Sequence, residues 1–160
     1  MKNTVQLPQE FILEAFLPYR LSLLSNTVSQ GISKVYRKEH GLSVTEWRVV
    51  AVLGRFPGLT ASEIMLRTAM DKVAISRAVN KLQGKGLVER SPHHQDRRRL
   101  PLKLTASSGV QLFNKVVPGA QAYERQLLSA LSDEEMKRFN QLLGKLQCAA
   151  TELNRNEPSA

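Results

Sequence analysis

The chain of 160 residues holds 23 lysine and arginine residues against 14 aspartate and glutamate residues, so its formal net charge is +9. A hydrophobic content of 42% suits a folded core, and the sequence lacks the run of about 18 uncharged apolar residues that could cross a bilayer. A single cysteine excludes an intramolecular disulfide, and the opening residues lack a signal peptide, so we expect a cytoplasmic protein with a polyanionic partner.

The positive charge is concentrated in residues 71–105, which hold nine basic and three acidic side chains, a local charge of +6. Nucleic acid is the partner that such a cluster favours. The alternative is a solvated surface that binds nothing, because runs of charge are common on protein surfaces. The order of these charges along the predicted elements distinguishes the two interpretations.

Three helices are predicted before the basic region. Pro18 can open a long first helix that ends near Gly41. That helix has one apolar face, formed by Leu21, Leu24, Val28, Ile32 and Val35. Residues 43–46 and 60–63 have the form of capping boxes, in which a hydroxyl and a carboxylate satisfy free amides, and each predicts the start of a further helix.

A fourth helix is predicted from a cap at Asp71 to about Gln83. One face is apolar and should be buried: Ile75, Ala78, Val79 and Leu82. A second face carries short polar and basic side chains flanked by lysines: Lys72, Val73, Ser76, Arg77, Asn80 and Lys81. Such a face can enter the DNA major groove, where arginine reads guanine and asparagine reads adenine. A plain amphipathic surface helix would show the same pattern.

Two short strands joined by a polar loop are predicted next, at residues 87–90 and 100–105. The loop carries the candidate DNA-contacting residues Asp96, Arg97, Arg98 and Arg99. Cations at such a tip would lie over a minor groove, where a narrow A·T-rich segment has enhanced negative potential. Pro101 has no amide donor, so the second strand should be short or pair through one edge only. Helix, turn, helix and basic hairpin together indicate a winged DNA-binding domain over residues 43–105.

The sequence resembles the MarR family of winged helix-turn-helix regulators over roughly residues 20–150. The stretches that carry the resemblance are Leu82 with Gly86 to Arg90, Asp96 to Arg98, and Leu104-Thr105 followed by Gly109. It implies that Asp96 and one wing arginine shape the tip of the wing while another arginine contacts DNA. It also implies a homodimer that binds double-stranded DNA at a pseudo-palindromic site, most often as a repressor.

The segments outside the winged domain carry the apolar surface of a dimer. Residues 106–153 have helical period, and Pro118 should kink the first of the two helices there. By the resemblance, these helices interlock with the N-terminal region, residues 1–42, across a two-fold axis. Residues 154–160 are assigned to a flexible tail. The expected fold class is mainly α with a small β-wing, a winged helix-turn-helix domain plus a helical dimerisation region.

The resemblance further implies release from DNA by a small effector, such as a phenolic compound, an aromatic acid or its coenzyme A thioester. Candidates for its contacts lie near the junction of the dimerisation helices and the winged domain: Tyr19, Arg20, Ser25, Trp47 and Arg48. An apolar crevice with one or two cations would hold such an anion. Trp47 can equally be a core residue, and Arg20 can pair with an acidic neighbour.

No enzyme, cofactor or metal site is predicted. The sequence has no nucleophile elbow, phosphate loop or HExxH motif. The adjacent pair His93 and His94 would point to opposite faces of a hairpin, and His40 stands alone at a helix end. Cys148 has only Lys145 as a basic neighbour at helical spacing, which favours inert packing over redox sensing. Two alternatives stay open: an effector-independent or architectural DNA-binding protein, and an interaction or small-molecule-binding module whose basic surface is incidental.

Overall fold

The computed structural model describes residues 11–91 and 100–156, and over these ranges the chain is mainly helical with one small antiparallel sheet. The predicted fold class is confirmed. The chain divides into two compact units, residues 1–120 and 121–160. Within the described ranges, no helix has both the length and the apolar character needed to cross a membrane.

Three helices precede the basic region: α1 at Leu17–His40, α2 at Val44–Arg55 and α3 at Ala61–Thr68. Gly41 ends α1 in the left-handed conformation, with φ of 59°. Both predicted capping boxes are present, one with Ser43 and one with Thr60 as the N-cap. On α3, Ile64 is fully buried and Met65 is partly buried against the core, whereas Leu66 is 76% exposed.

Helix α4 runs from Lys72 to Gly84. The Asp71 carboxylate caps it by accepting the amide of Ala74 at 2.8 Å. The predicted apolar face is the buried one, since Ile75, Ala78, Val79 and Leu82 are at most 4% exposed. Burial of this face holds α4 on the core and leaves its other face to solvent.

The sheet consists of β1 at Val88–Arg90 and β2 at Leu102–Leu104. The second strand begins only after Pro101, whose carbonyl accepts the amide of Ser91 at 2.8 Å, so the predicted short strand is confirmed. The other edge of β2 bonds to residues 58–59 in the loop before α3, through backbone hydrogen bonds of 2.9 and 2.8 Å. These hydrogen bonds attach the sheet to the loop that connects α2 to α3.

Gly109 allows close packing between the end of the sheet and the start of the next helix. The Thr105 hydroxyl donates to the Gly86 carbonyl at 2.7 Å and accepts the Gly109 amide at 2.9 Å. A Cβ atom at position 109 would collide with the carbonyl oxygen of Leu87 and press on Leu104. This contact explains the spacing of glycine after the Leu104-Thr105 pair.

Two long helices follow: α5 at Ser108–Leu128 and α6 at Asp133–Asn156. Pro118 lies inside α5, which continues on both sides of it. Helix α6 includes residues 154–156, beyond the predicted start of the tail, and Arg155 in its last turn suits the negative end of a helix. Residues 157–160 lie outside the described ranges. Cys148, expected to be packed, is exposed on α6, where the neighbouring Leu146 is also 46% exposed.

The hydrophobic core lies in the first unit. Its largest fully buried residues come from α1 to α5, the α1–α2 loop and the sheet: Tyr36, Leu42, Leu53, Ile64, Ile75, Leu82, Leu102, Val49, Val50 and Val116. The predicted apolar face of α1 is divided, because Ile32 and Val35 pack against this core whereas Leu21 and Leu24 are 42% and 49% exposed. Among the described residues, the N-terminal half of α1 therefore carries exposed apolar side chains.

Candidate nucleic-acid interface

The exposed face of α4 carries all six residues predicted for it. They are Lys72, Val73, Ser76, Arg77, Asn80 and Lys81, and each is exposed. They recur at spacings of three and four, so they line one stripe on a helix about 20 Å long, at 1.5 Å per residue. We call these six residues the α4 stripe. Apart from Val73, its side chains are polar or basic, as suits a helix face that enters a major groove.

Within the described ranges, the cations of the α4 stripe are weakly engaged. No ion pair there involves Lys72 or Arg77, and Lys81 reaches Glu46 only at 4.0 Å with its own side chain 70% exposed. A pair so exposed contributes little stability. All three cations are therefore available to an external anion at small cost.

A shallow cleft of about 160 Å³ lies between the start of α2 and the α4 stripe. It is lined by Ser43, Thr45, Glu46, Ala74, Arg77, Ala78 and Lys81. Two cations and two hydroxyls thus surround a space beside the N-terminus of α2, where the helix dipole is positive. The Glu46 carboxylate limits this positive character at one side of the cleft.

The predicted wing residues Asp96, Arg97, Arg98 and Arg99 lie outside the described residues. The strands that lead to them are described, and their ladder pairs Glu89 with Lys103. The side chains of that pair form an ion pair at 3.1 Å, and both are about half exposed. Within the described residues, Lys103 is therefore already paired, unlike Lys72 and Arg77 of the α4 stripe.

Lys85 lies beside the α4 stripe and makes a contact within the protein that sequence reasoning missed. Its Nζ atom donates to the Gly41 carbonyl at 2.8 Å and to Glu46 Oε2 at 2.9 Å. Glu46 is only 4% exposed and also closes the capping box with Ser43. Burial raises the pKa of Glu46, but the bonds from Lys85 and Ser43 outweigh burial and hold this pKa below its ordinary value. Lys85 and Glu46 are 39 positions apart, so no short sequence motif could have predicted their contact.

Trp47 lies in an aromatic stack rather than free in a crevice. Its ring centroid is 5.4 Å from that of Tyr36 and 6.4 Å from that of Phe113. Trp47 is half-buried against the core, and burial raises the pKa of the Tyr36 phenol. The stack joins α1, α2 and α5, so a packing role for Trp47 is supported.

The remaining ligand candidates are not all brought together. Arg48 donates from Nη2 to the Ser29 hydroxyl at 3.0 Å, and Ser25 lies one turn earlier on the same helix. Tyr19 and Arg20 are exposed near the start of α1. Tyr19 precedes the stacked Tyr36 by 17 residues, or about 25 Å of helix. The structure thus joins Arg48 to α1 at Ser29 and Trp47 to α1 at Tyr36, with Ser25 one turn before Ser29, and Tyr19 and Arg20 lie farther along α1.

Comparison with known proteins places this geometry among DNA-binding regulators. The profile of the MarR family matches residues 40–99. The transcriptional repressor MdtR of Bacillus subtilis is 30% identical over 120 residues, which cover 74% of this chain and 77% of that protein. The homoprotocatechuate degradative operon repressor of Escherichia coli is 26% identical over 106 residues, 66% of this chain and 71% of the relative.

A solved structure agrees with the same assignment. The MarR/EmrR family transcriptional regulator from Acinetobacter sp. ADP1 superposes with a TM-score of 0.81 at 27% identity, and the match covers 89% of this chain and 99% of that one. The similar proteins are transcriptional regulators rather than enzymes, so the prediction that this chain is not an enzyme is confirmed.

Proposed function

The chain belongs to the MarR family of transcriptional regulators, and on that premise we propose that it binds a pseudo-palindromic operator as a homodimer, acts as a repressor and is released by a small aromatic-acid effector. The observation that carries the DNA-binding proposal is the α4 stripe. A helix whose apolar face is buried and whose exposed face carries weakly engaged cations and a carboxamide suits the major groove.

The residues of the α4 stripe divide by chemistry. Arg77 and Asn80 are the proposed base readers, since a guanidinium matches guanine and a carboxamide matches adenine. Lys72, Ser76 and Lys81 are proposed to contact phosphate, which fixes position without reading sequence. Val73 is 56% exposed and supplies an apolar contact of the kind that a thymine methyl accepts.

The wing is proposed to add contacts in the adjacent minor groove. Arg97, Arg98 and Arg99 supply the cations, and Asp96 pairs with one of them to shape the tip. Minor-groove arginines respond to groove width and negative potential more than to base identity. The wing should therefore strengthen binding to many sequences, whereas the α4 stripe should discriminate among them.

Dimerisation is proposed through the apolar surface that the single chain leaves exposed. In the first unit this surface includes Phe11, Ile12, Leu13, Phe16, Leu17, Leu21, Leu23 and Leu24. In the second unit α6 exposes Phe139, Leu142, Leu143, Leu146 and Leu153. Contiguous apolar surface of this kind marks an interface. A two-fold dimer would place two α4 helices about 34 Å apart, one turn of DNA.

The effector is proposed to bind where α1 and α2 meet, beside Trp47 and Arg48 and within reach of Ser25. A ring could pack beside the aromatic stack while Arg48 exchanges its hydrogen bond to Ser29 for a carboxylate, which a guanidinium binds more strongly. The similar repressor of a homoprotocatechuate operon supports an aromatic acid. Tyr19 and Arg20 contribute only if the bound ligand extends along α1.

The experiment is binding of the purified protein to its own upstream intergenic duplex and to a scrambled duplex of the same composition, at near-physiological salt. Each titration is repeated with a panel of aromatic acids and their coenzyme A thioesters. We expect tight binding to the first duplex alone and release by at least one compound. Specific binding that no compound releases would support an effector-independent regulator instead. Equal weak binding to both duplexes would contradict the operator proposal.

A further inference from the structure

Three helix ends meet at the side chain of Lys85. Lys85 is the C-cap residue of α4, and its ammonium group reaches the residue that ends α1 and the capping box that begins α2. We call residues 41–46 the α1–α2 corner. The two hydrogen bonds of 2.8 and 2.9 Å occupy two of the three ammonium donors.

The surroundings of Lys85 differ from those of Lys81 one turn earlier on the same helix. The Lys81 side chain is 70% exposed and lies 4.0 Å from Glu46 Oε1, whereas the Lys85 side chain is 38% exposed and bonds to Glu46 Oε2. The carboxylate between them is 5% exposed, so it needs a cation to offset its loss of hydration. Lys85 meets that need, and Lys81 stays available to solvent.

Apolar burial alone does not determine how α4 is presented. The stripe of Ile75, Ala78, Val79 and Leu82 attaches the helix to the core, but hydrophobic attraction has no direction. A charge-assisted hydrogen bond to a buried carboxylate does have one. At the C-terminal end of α4, the bonds to Gly41 and Glu46 supply a fixed point about which the α4 stripe is oriented.

We propose that Lys85 is a positioning residue of the DNA-binding surface: it contacts no DNA, and it fixes the end of α4 on the α1–α2 corner so that the α4 stripe meets the bases in register. The inference rests on the proposed function, because it concerns how α4 is presented to an operator. Glu46 is the carboxylate to which Lys85 is attached, so it contributes to the same positioning. Loss of Lys85 should therefore reduce discrimination between DNA sequences and leave the number of phosphate contacts unchanged.

The test compares Lys85→Met with Lys81→Met, two neutral variants on one helix. Binding to the upstream intergenic duplex and to the scrambled duplex is measured across a salt series. For Lys81→Met we expect weaker binding to both duplexes and a salt slope reduced by about one. For Lys85→Met we expect an unchanged slope, nearly unchanged binding to the scrambled duplex and roughly tenfold weaker binding to the specific duplex, a loss similar to that of one base contact.

Two further variants separate positioning from general destabilisation. Glu46→Gln preserves the capping box, since glutamine can replace glutamate there, but removes the charge that Lys85 needs. It should lower specific binding as Lys85→Met does, and the double variant should bind no worse than either single variant. Lys85→Arg, which keeps the charge and the donors, should restore most of the specific affinity. All titrations are made at a temperature where circular dichroism shows each variant folded.

The outcomes are distinct. A salt slope lowered by about one in Lys85→Met, with equal losses on both duplexes, would identify a phosphate contact and overturn the inference. Additive losses in the double variant, or a lower melting temperature without any loss of discrimination, would also overturn it. If the wild-type protein failed to discriminate between the duplexes, the proposed function would fail first, and this inference with it.

Discussion

The Nζ atom of Lys85 lies 2.9 Å from Oε2 of Glu46, although 39 residues separate them in the sequence. The contact joins the end of α4 to the capping box of α2. Burial disfavours the charged form of this carboxylate, but the hydrogen bonds that it accepts from Lys85 and Ser43 outweigh burial, so the charged form is favoured in the folded chain. The stability of this junction should therefore depend on pH.

The first prediction concerns the stability of the folded chain at acidic pH. The pKa of Glu46 is lowered on folding, so the unfolded chain binds more protons as the pH falls below about 4.3, the ordinary glutamate value. The stabilisation of the fold by the Glu46 carboxylate is complete above that pH and is lost as the pH falls through the folded-state pKa of Glu46. Thermal melts of wild type and Glu46→Gln should differ most near neutral pH and converge in acid. A difference in melting temperature that stays constant with pH would contradict this.

The second prediction separates the two proposed DNA contacts. Arg77→Ala should weaken binding to the specific duplex by about 1–3 kcal/mol and change binding to a scrambled duplex little, because Arg77 is proposed to contact a base. Arg98→Ala should weaken both and reduce the salt slope, because the wing arginines are proposed to contact the minor groove and backbone. Fluorescence anisotropy over a salt series measures both. Equal losses on both duplexes for Arg77→Ala would remove its assignment as a base reader.

The third prediction concerns the junction of sheet and α5. Gly109→Ala places a methyl group against the Leu87 carbonyl, so the start of α5 must shift, at a cost of about 1–3 kcal/mol in the free energy of unfolding. Gly84→Ala is the matched control, since a Cβ there meets nothing within 4 Å. Urea denaturation of the two variants should show a loss for the first only. Similar stabilities would mean that the junction adjusts freely.

The fourth prediction tests the proposed dimer surface. Leu24→Glu puts a charge on the exposed apolar part of α1, and Leu66→Glu puts the same charge on α3 at a side chain that is even more exposed, 76% against 49%. We expect only the first to shift the protein toward monomer in light scattering after size-exclusion chromatography, because a charge buried in an interface lacks a partner. A dimer that survives Leu24→Glu would exclude this part of α1 from the interface.

The features that the sequence predicted correctly are local ones. The capping boxes at Ser43 and Thr60 involve residues three apart, so their hydrogen bonds follow from the order of a few side chains. The buried face of α4 follows from its period of 3.6 residues, and the short β2 strand follows from the missing amide of Pro101. Each of these depends on the geometry of one element, which neighbouring residues determine.

The features that only the tertiary structure decided depend on how elements cross. Periodicity placed Leu21 and Ile32 on one face of α1, but only the packing of α1 against the core shows that the first is exposed and the second covered. The stack of Tyr36 on Trp47 and the bond from Lys85 to Glu46 likewise join residues on different helices. Sequence spacing specifies the faces of a helix, whereas interhelical distance and angle specify which side chains meet, and those arise from the packing of the whole core.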